Sequence, residues 1–348
     1  VIQAVCKAMV DGNTHYAPSM GLPIFRTAIK DHLEREFNFR CDYEQVVITP
    51  GANSGIYWTM RCLMEKGDEV LLPDPGFPSF AAAAKAVGAQ IVPIKYEQSN
   101  EFKPDMDAIV ASISNRTKLI ILNSPSNPIG SILSESDLSK IYQLAGEHDF
   151  YILSDDTYRR MNFKDGYPPS VTQYDFCKER SIMLGGLSKE YSMSGFRLGY
   201  LIGPHQFIKK VGLYIETVAS CVSPFIQMGG VEALQGSQSN RIKNLSEIKA
   251  RRDFMVKGLN QMQNISCHLS EGGLYLFPNV ANTGLTGDQF FQLMLNQARI
   301  SCVSGSVFGD VGVGHVRLSL NVKIPMIKKS FNRINDVLNT LNKGKYAL

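Results

Sequence analysis

Lys189 ends the stretch Gly185-Gly186-Leu187-Ser188-Lys189, after an apolar run and a glycine pair, and Arg197 follows eight residues later, just ahead of another apolar run. A lysine confined in a turn is held toward its neutral amine, the form that makes Schiff bases. Most lysines lie in solvent, so this one needs partners from the rest of the chain. Candidates stand beside the other short apolar runs. Ser154-Asp155-Asp156-Thr157-Tyr158 puts a carboxylate after one of them, where a charge is costly unless a cation answers it; a helix cap is the ordinary alternative for either aspartate. Arg317 sits inside His315-Val316-Arg317-Leu318-Ser319-Leu320 and calls for an anion, either a structural carboxylate or a ligand. Pro50-Gly51-Ala52-Asn53-Ser54-Gly55 reads as a helix start whose free N–H groups suit a phosphate, or as a plain turn with a polar cap. Phe77, within Pro73-Asp74-Pro75-Gly76-Phe77-Pro78, is an aromatic in a stiff loop, able to stack on a flat ring or to serve the core. Asn123-Ser124-Pro125-Ser126-Asn127-Pro128 presents amides on a rigid turn.

These residues need a frame. Runs at 46–49, 69–72, 90–94, 118–122, 150–153, 182–184 and 198–202 are short and nearly all apolar, and helical spacing predicts helices at 52–64, 80–87 and 134–148 between them. Strands of that texture belong to a sheet buried on both faces and largely parallel. The expected fold is therefore α/β, a three-layer large domain with a mostly parallel sheet. Beyond 204 the pattern turns helical to about residue 264. A smaller α/β C-terminal domain then follows, with strands at 274–277 and 316–320 and helices at 287–298 and 324–342. We expect a segment 1–15 on the small-domain or linker side, a large domain over 16–236 and a small one over 237–348. In such sheets ligands sit beyond the carboxyl ends of the strands, which is where the candidates fall.

The composition narrows the function classes. A net charge of +4 over 348 residues, without a dense basic tract, argues against a nucleic-acid surface. No apolar stretch is long enough to cross a membrane. The seven cysteines are scattered singly, with no metal-ligand spacing, and fit free thiols in a reducing, cytoplasmic setting. Val1 opens on what reads as the middle of an amphipathic helix, so further residues are expected before it.

Taken together, the candidates meet the needs of pyridoxal 5′-phosphate: a lysine for the Schiff base, an acid for the pyridine nitrogen, donors for the phenolic oxygen, a stacking ring and a phosphate cup. Seven motifs in order then carry a resemblance. They are Tyr16-Ala17-Pro18-Ser19-Met20-Gly21-Leu22-Pro23, Thr49-Pro50-Gly51-Ala52, Asp74-Pro75-Gly76-Phe77-Pro78-Ser79-Phe80, Asn123 to Gly130, Ser154 to Tyr158, Ser188-Lys189 with Gly195-Phe196-Arg197-Leu198-Gly199-Tyr200, and His315 to Ser319. In this set the chain resembles the fold-type I, class I/II aminotransferases, the aspartate, tyrosine and alanine aminotransferase superfamily. The resemblance implies a homodimer that moves an amino group from an L-amino acid to a 2-oxo acid, in a ping-pong cycle through pyridoxamine phosphate.

It also implies roles. Lys189 would hold the cofactor and move the proton at the substrate Cα. Asp155 would pair with the pyridine nitrogen, Tyr158 and Asn127 would bind the phenolic oxygen, and Phe77 would stack on the ring. Backbone N–H groups of Ala52 and Asn53, with Arg197 and Ser188, would take the phosphate. Tyr16 would reach the phosphate of the neighbouring subunit, and Arg317 would clamp the substrate carboxylate, with Asn127 beside it. The chain departs from its relatives at Gly186, where many carry serine or threonine, and at Ala52, where glycine or serine is common. Relatives also carry several dozen residues ahead of the segment matching Val1. The same scaffold supports C–S β-lyases, aminocyclopropane-carboxylate-synthase-like enzymes and non-catalytic sensor domains, and the shared residue set does not separate them.

Overall fold

A computed structural model describes residues 1–342; residues 343–348 of the expected C-terminal domain lie outside the described residues. The chain opens with α1 (Ile2–Val10) and α2 (Pro23–Phe37). It then alternates β1 (Val46–Pro50), α3 (Ala52–Leu63), β2 (Glu69–Asp74), α4 (Pro78–Val87) and β3 (Gln90–Lys95). Next come α5 (Met106–Ser112), β4 (Thr117–Asn123), α6 (Glu135–Glu147), β5 (Tyr151–Asp155), β6 (Ser181–Gly186) and β7 (Leu198–Ile202). Helices α7 (His205–Ala219), α8 (Pro224–Gln235) and α9 (Ser239–Leu259) follow.

The seven strands form one sheet in the order β1-β7-β6-β5-β4-β2-β3. All neighbours are parallel except β7, which is antiparallel to both β1 and β6. An apolar run does not reveal its direction, so the reversal of β7 was not legible in the sequence. It has a consequence for the site. Because β7 runs backwards, its first residues lie at the edge where the other strands end, and Arg197, just ahead of it, is delivered there. Burial explains the unbroken apolar strands. Val47, Leu119, Leu153 and Ile182 pack with α3, α4 and α7 on one face. Ile48, Met183 and Ile202 pack with α2 and α8, and Ile120 and Ile152 with α6, on the other. Val1 and Val5 of the first turns approach Gly229 of α8.

The smaller sheet has the order β8-β10-β9, all antiparallel, from β8 (Tyr275–Leu276), β9 (Val303–Ser304) and β10 (Val316–Ser319). It is covered by α9, by α10 (Gly287–Leu293, which runs on as a π turn over Met294–Ala298) and by α11 (Ile324–Asn342). Its core also takes in Tyr158, Met161 and Phe163 from the turn after β5, so the two units share apolar side chains beside the candidate site. Two elements lay below the sequence signal: α5, whose cap Asp105 accepts from Asp107 and Ala108 N–H, and the two-residue β9.

Candidate active site

A cavity of about 170 Å³ lies beyond the carboxyl ends of β1, β2, β4, β5 and β6. Ala52, Asn53, Phe77, Asn127, Asp155, Tyr158, Ser188, Lys189 and Arg197 all line it. Two predicted residues stand apart. Tyr16 is 88% exposed in the loop before α2. Arg317 reaches the cavity through Asn127, donating to its Oδ1 at 3.1 Å.

At one end, α3 begins with no side-chain cap, and its cap residue Gly51 has φ +81°. A Cβ there would also stand 2.8 Å from Cζ of Arg197. Glycine is thus needed twice, for a left-handed backbone and for the approach of the guanidinium to the helix start. Arg197 donates to Ser194 O at 2.9 Å and makes no ion pair among the described residues. An uncapped helix N-terminus beside an unpaired arginine is electrostatically suited to an anion.

At the other end, Asp155 is buried, and no described cation pairs with it. Its Oδ1 accepts from the backbone N–H of Thr157 at 3.1 Å and from the Thr157 hydroxyl. Burial pushes its pKa up to about 6, against the pull of the Thr157 bonds and helped by the neighbouring Asp156. Asp156 is answered differently: Ser154 donates to it at 2.6 Å and Arg159 stands at 3.5 Å. The two adjacent aspartates therefore divide into a structural one and one left for a ligand. The helix-cap alternative does not hold for Asp155, because a turn and not a helix follows it, and its bond from the Thr157 N–H supplies no counter-charge.

Asn123 braces the floor. Its Nδ2 donates to Asp155 O at 3.1 Å, and its Oδ1 accepts the Asn127 N–H at 2.7 Å. Asn127 gives its Oδ1 to Arg317, which leaves its amide NH2 for a ligand. Arg317 lies between two rings, 4.0 Å from the centroid of Tyr275 and 4.8 Å from that of Phe308. Burial lowers its pKa, while Tyr275 and Tyr158 oppose that shift. Tyr158 is raised well above the ordinary tyrosine value, by burial first and then by the neighbouring Tyr275 hydroxyl.

Lys189 is half-buried between this cavity and a second of about 370 Å³, with which it shares Ser188 and Ser194. The second cavity is walled by Met161, Leu245, Ile248 and Leu274, and by Arg160, Arg241 and Arg251. The residue after the lysine, Glu190, is tied down by Arg160 at 2.7 Å and Arg241 at 3.1 Å, and both arginines also approach Glu36, at 3.4 and 3.6 Å. His32 lies buried among Arg160, Arg35 and Arg241; burial and those charges lower its pKa to about 2, so it stays neutral.

Sequence reasoning missed Asn123, Thr157 and Tyr275. Asn123 and Thr157 lay inside the loops already singled out, where a short polar residue at a strand end was the available signal. Tyr275 had none, since it meets Arg317 only across the small sheet.

The family model described as aminotransferase class I and II matches residues 1–334. An aspartate aminotransferase of Pyrococcus horikoshii is 34% identical over 97% of this chain and 86% of its own length. An aromatic-amino-acid aminotransferase of Thermococcus litoralis is 32% identical over 95% of this chain and 86% of its own. The solved structure of an aromatic aminotransferase from Pyrococcus horikoshii superposes with a TM-score of 0.94 at 31% identity, covering 98% of this chain and 92% of that one. Together with the three-layer fold and the strand-end site, these matches make the chain a member of the aminotransferase class I and II family.

Proposed function

We propose that the strand-end cavity binds pyridoxal 5′-phosphate and that the protein uses it to transfer the amino group of an L-amino acid to a 2-oxo acid. The observation that carries the reading is the division of charge along one cavity. An unpaired arginine and an uncapped helix start lie at one end, a buried acid without a cation at the other, and between them Lys189, which makes no ion pair among the described residues. A phosphate, a protonated ring nitrogen and an aldehyde fit those three places in turn.

In this reading the N–H groups of Ala52 and Asn53, with Arg197 and Ser188, hold the phosphate. Asp155 holds the proton on the ring nitrogen, and the Thr157 bonds fix the carboxylate in place. Phe77 covers one face of the ring. Tyr158 and the Asn127 amide donate to the phenolic oxygen. When bound, the cofactor supplies an electron sink for the bond that breaks at the substrate Cα. Arg317, steadied by Tyr275 and Asn127, binds the substrate carboxylate and so presents the Cα proton to Lys189 Nζ, which takes it. The second cavity, sharing Ser188 and Lys189, gives the substrate side chain room.

A homodimer with shared sites belongs to the same proposal. Tyr16, Leu213 and Val218 are exposed, and the loop of Tyr16 is joined to α7 through Met20, which packs on Gly212. That exposed face supports a second subunit whose phosphate Tyr16 would reach. All seven cysteines are free and five are buried, which supports a cytoplasmic setting. Among the described residues no helix is long and apolar enough to cross a membrane.

The test is a single-turnover panel of Asp, Glu, Ala, Tyr, Phe and Met with the cofactor-loaded protein and no acceptor. One equivalent of the matching 2-oxo acid per site, without ammonia, is the expected result. Continuous release of pyruvate, ammonia and thiol from an S-substituted cysteine, which carries the Cβ–S bond that these six lack, would replace transamination with β-elimination.

A further inference from the structure

Asp74 ends β2, is buried, and forms no ion pair among the described residues. Its carboxylate is spent on backbone from the far unit. Oδ2 accepts the N–H of Asp310 and Oδ1 that of Val311, each at 3.2 Å. Two residues on, the N–H of Gly76 donates to Phe308 O at 2.8 Å. Gly309 lies between these bonds with φ +135°, and a Cβ there would stand 2.6 Å from Asp74 Cγ. The close approach thus depends on glycine at 309 as well as on the carboxylate at 74.

What this contact joins matters more than its strength. On the β2 side, the loop continues directly to Phe77, a wall of the cofactor cavity. On the other side, the gripped segment begins with Phe308, whose ring lies 4.8 Å from the Arg317 guanidinium. Phe308 is held in turn by Phe277, edge-on at 5.9 Å. A buried carboxylate without a cation is costly, and burial does raise the pKa of Asp74 while the Asp310 and Val311 N–H groups oppose the rise. An apolar residue at 74 would avoid that cost, yet could not hold the two N–H groups.

We propose that Asp74 is a positioning residue that sets the Arg317 clamp at a fixed distance from the ring-stacking Phe77. It does so by gripping residues 308–311 from the end of β2. It touches neither substrate nor cofactor and acts through Phe308. The proposal rests on the reading of Arg317 as the carboxylate clamp.

Two variants test it. Asp74→Asn keeps the size and one acceptor but turns an NH2 toward a backbone N–H, and Gly309→Ala disturbs the same contact without changing charge. For each, the cofactor dissociation constant is read by titration, KM and kcat are read with the best amino acid of the panel, and the rate is read with a primary amine that lacks the carboxylate. We expect KM for the amino acid to rise about tenfold or more, as for loss of a well-placed charge-assisted bond. Cofactor affinity and the slow reaction of the amine should stay within about threefold, inside the range of an indirect effect. An unchanged KM, or equal losses for amino acid and amine, would overturn the proposal. If the unaltered protein released no oxo acid, the transamination reading would fall instead, so the two failures are distinguishable.

Discussion

Arg317 donates to the side-chain oxygen of Asn127 at 3.1 Å, and that bond carries a residue of the small sheet onto the floor of the large one. The guanidinium is further fixed on the face of Tyr275, at 4.0 Å. One arginine is thus oriented by a hydrogen bond from one side and a ring from another, with its remaining donors available as a fork. Lysine cannot reproduce either the fork or the stacking. Arg317→Lys is expected to raise KM for every amino acid of the panel at least about tenfold, with kcat changed less. An affinity equal to that of the unaltered protein would remove Arg317 from the carboxylate.

Lys189 offers a cleaner separation of chemistry from stability. Its amine makes no ion pair among the described residues, although Glu190 beside it is bound twice. Lys189→Ala should therefore leave the unfolding midpoint close to that of the unaltered protein and cost several orders of magnitude in rate. Turnover within a factor of ten of the original would refute its role as the base.

How much of this was legible beforehand depended on where the information sat. The strands could be read because burial on both faces requires unbroken apolar runs, as in Leu119 to Leu122. Most of the residues that line the cavity could be picked out because they follow those runs directly in the chain. What escaped is set by pairing across the chain. The reversal of β7, which delivers Arg197, is a property of neighbours rather than of the run itself. Tyr275 matters only because β8 pairs with β10 and so faces Arg317. The Glu36, Arg160, Glu190 and Arg241 network draws on four separate segments, none of which shows a signal alone.

Asp155 makes a pH-dependent prediction with a definite sign. Its folded pKa of about 6 lies above the ordinary aspartate value, so between roughly pH 4 and 6 the folded, cofactor-free protein binds more protons here than the unfolded chain does. This contribution to stability is full below the unfolded pKa and is lost as pH rises through the folded one. A shift of this size corresponds to about 3 kcal/mol. Asp155→Asn should remove the dependence, so the unaltered protein loses stability relative to the variant between pH 4 and 6 in denaturant titrations. Parallel curves would contradict the assignment. With cofactor bound, the variant should keep the phosphate contacts but slow Cα proton removal sharply.

Arg160 is almost wholly buried and faces two carboxylates, Glu190 at 2.7 Å and Glu36 at 3.4 Å. Removing it leaves Glu190 to Arg241 alone, while Glu36 keeps Arg241, Arg35 at 3.7 Å and the Tyr167 hydroxyl. Breaking a buried pair from one side strands an uncompensated charge and costs about 3–5 kcal/mol. Arg160→Ala should therefore lower the denaturant midpoint by a matching amount, and the loss of order around Glu190 should be felt next door as a reduced rate. A midpoint within error of the original would mean that Arg241 suffices for Glu190, and Arg241, Arg35 and Tyr167 for Glu36.

Gly186 tests the phosphate cup by addition rather than removal. The resemblance to the family implies serine or threonine at this place, three residues before the lysine, and this chain has glycine. Nothing steric forbids a side chain there. A Cβ on Gly186 would meet Leu198 O at 3.5 Å and Ala52 Cβ at 3.7 Å, ordinary contacts at the wall of the cavity beside the start of α3. Gly186→Ser would place a hydroxyl next to the Ala52 and Asn53 N–H groups. A hydrogen bond to a charged oxygen is worth about 1.5–3 kcal/mol, so the cofactor should bind about tenfold tighter or better. Gly186→Ala is the control, because losing glycine from a strand also stabilises by restricting the unfolded chain, by about 0.4–1 kcal/mol. The alanine variant should gain in unfolding midpoint without gaining in cofactor affinity, and the serine variant should gain in both. Equal cofactor affinity in the two variants would place the phosphate out of reach of residue 186 and move the anion site away from this end of β6.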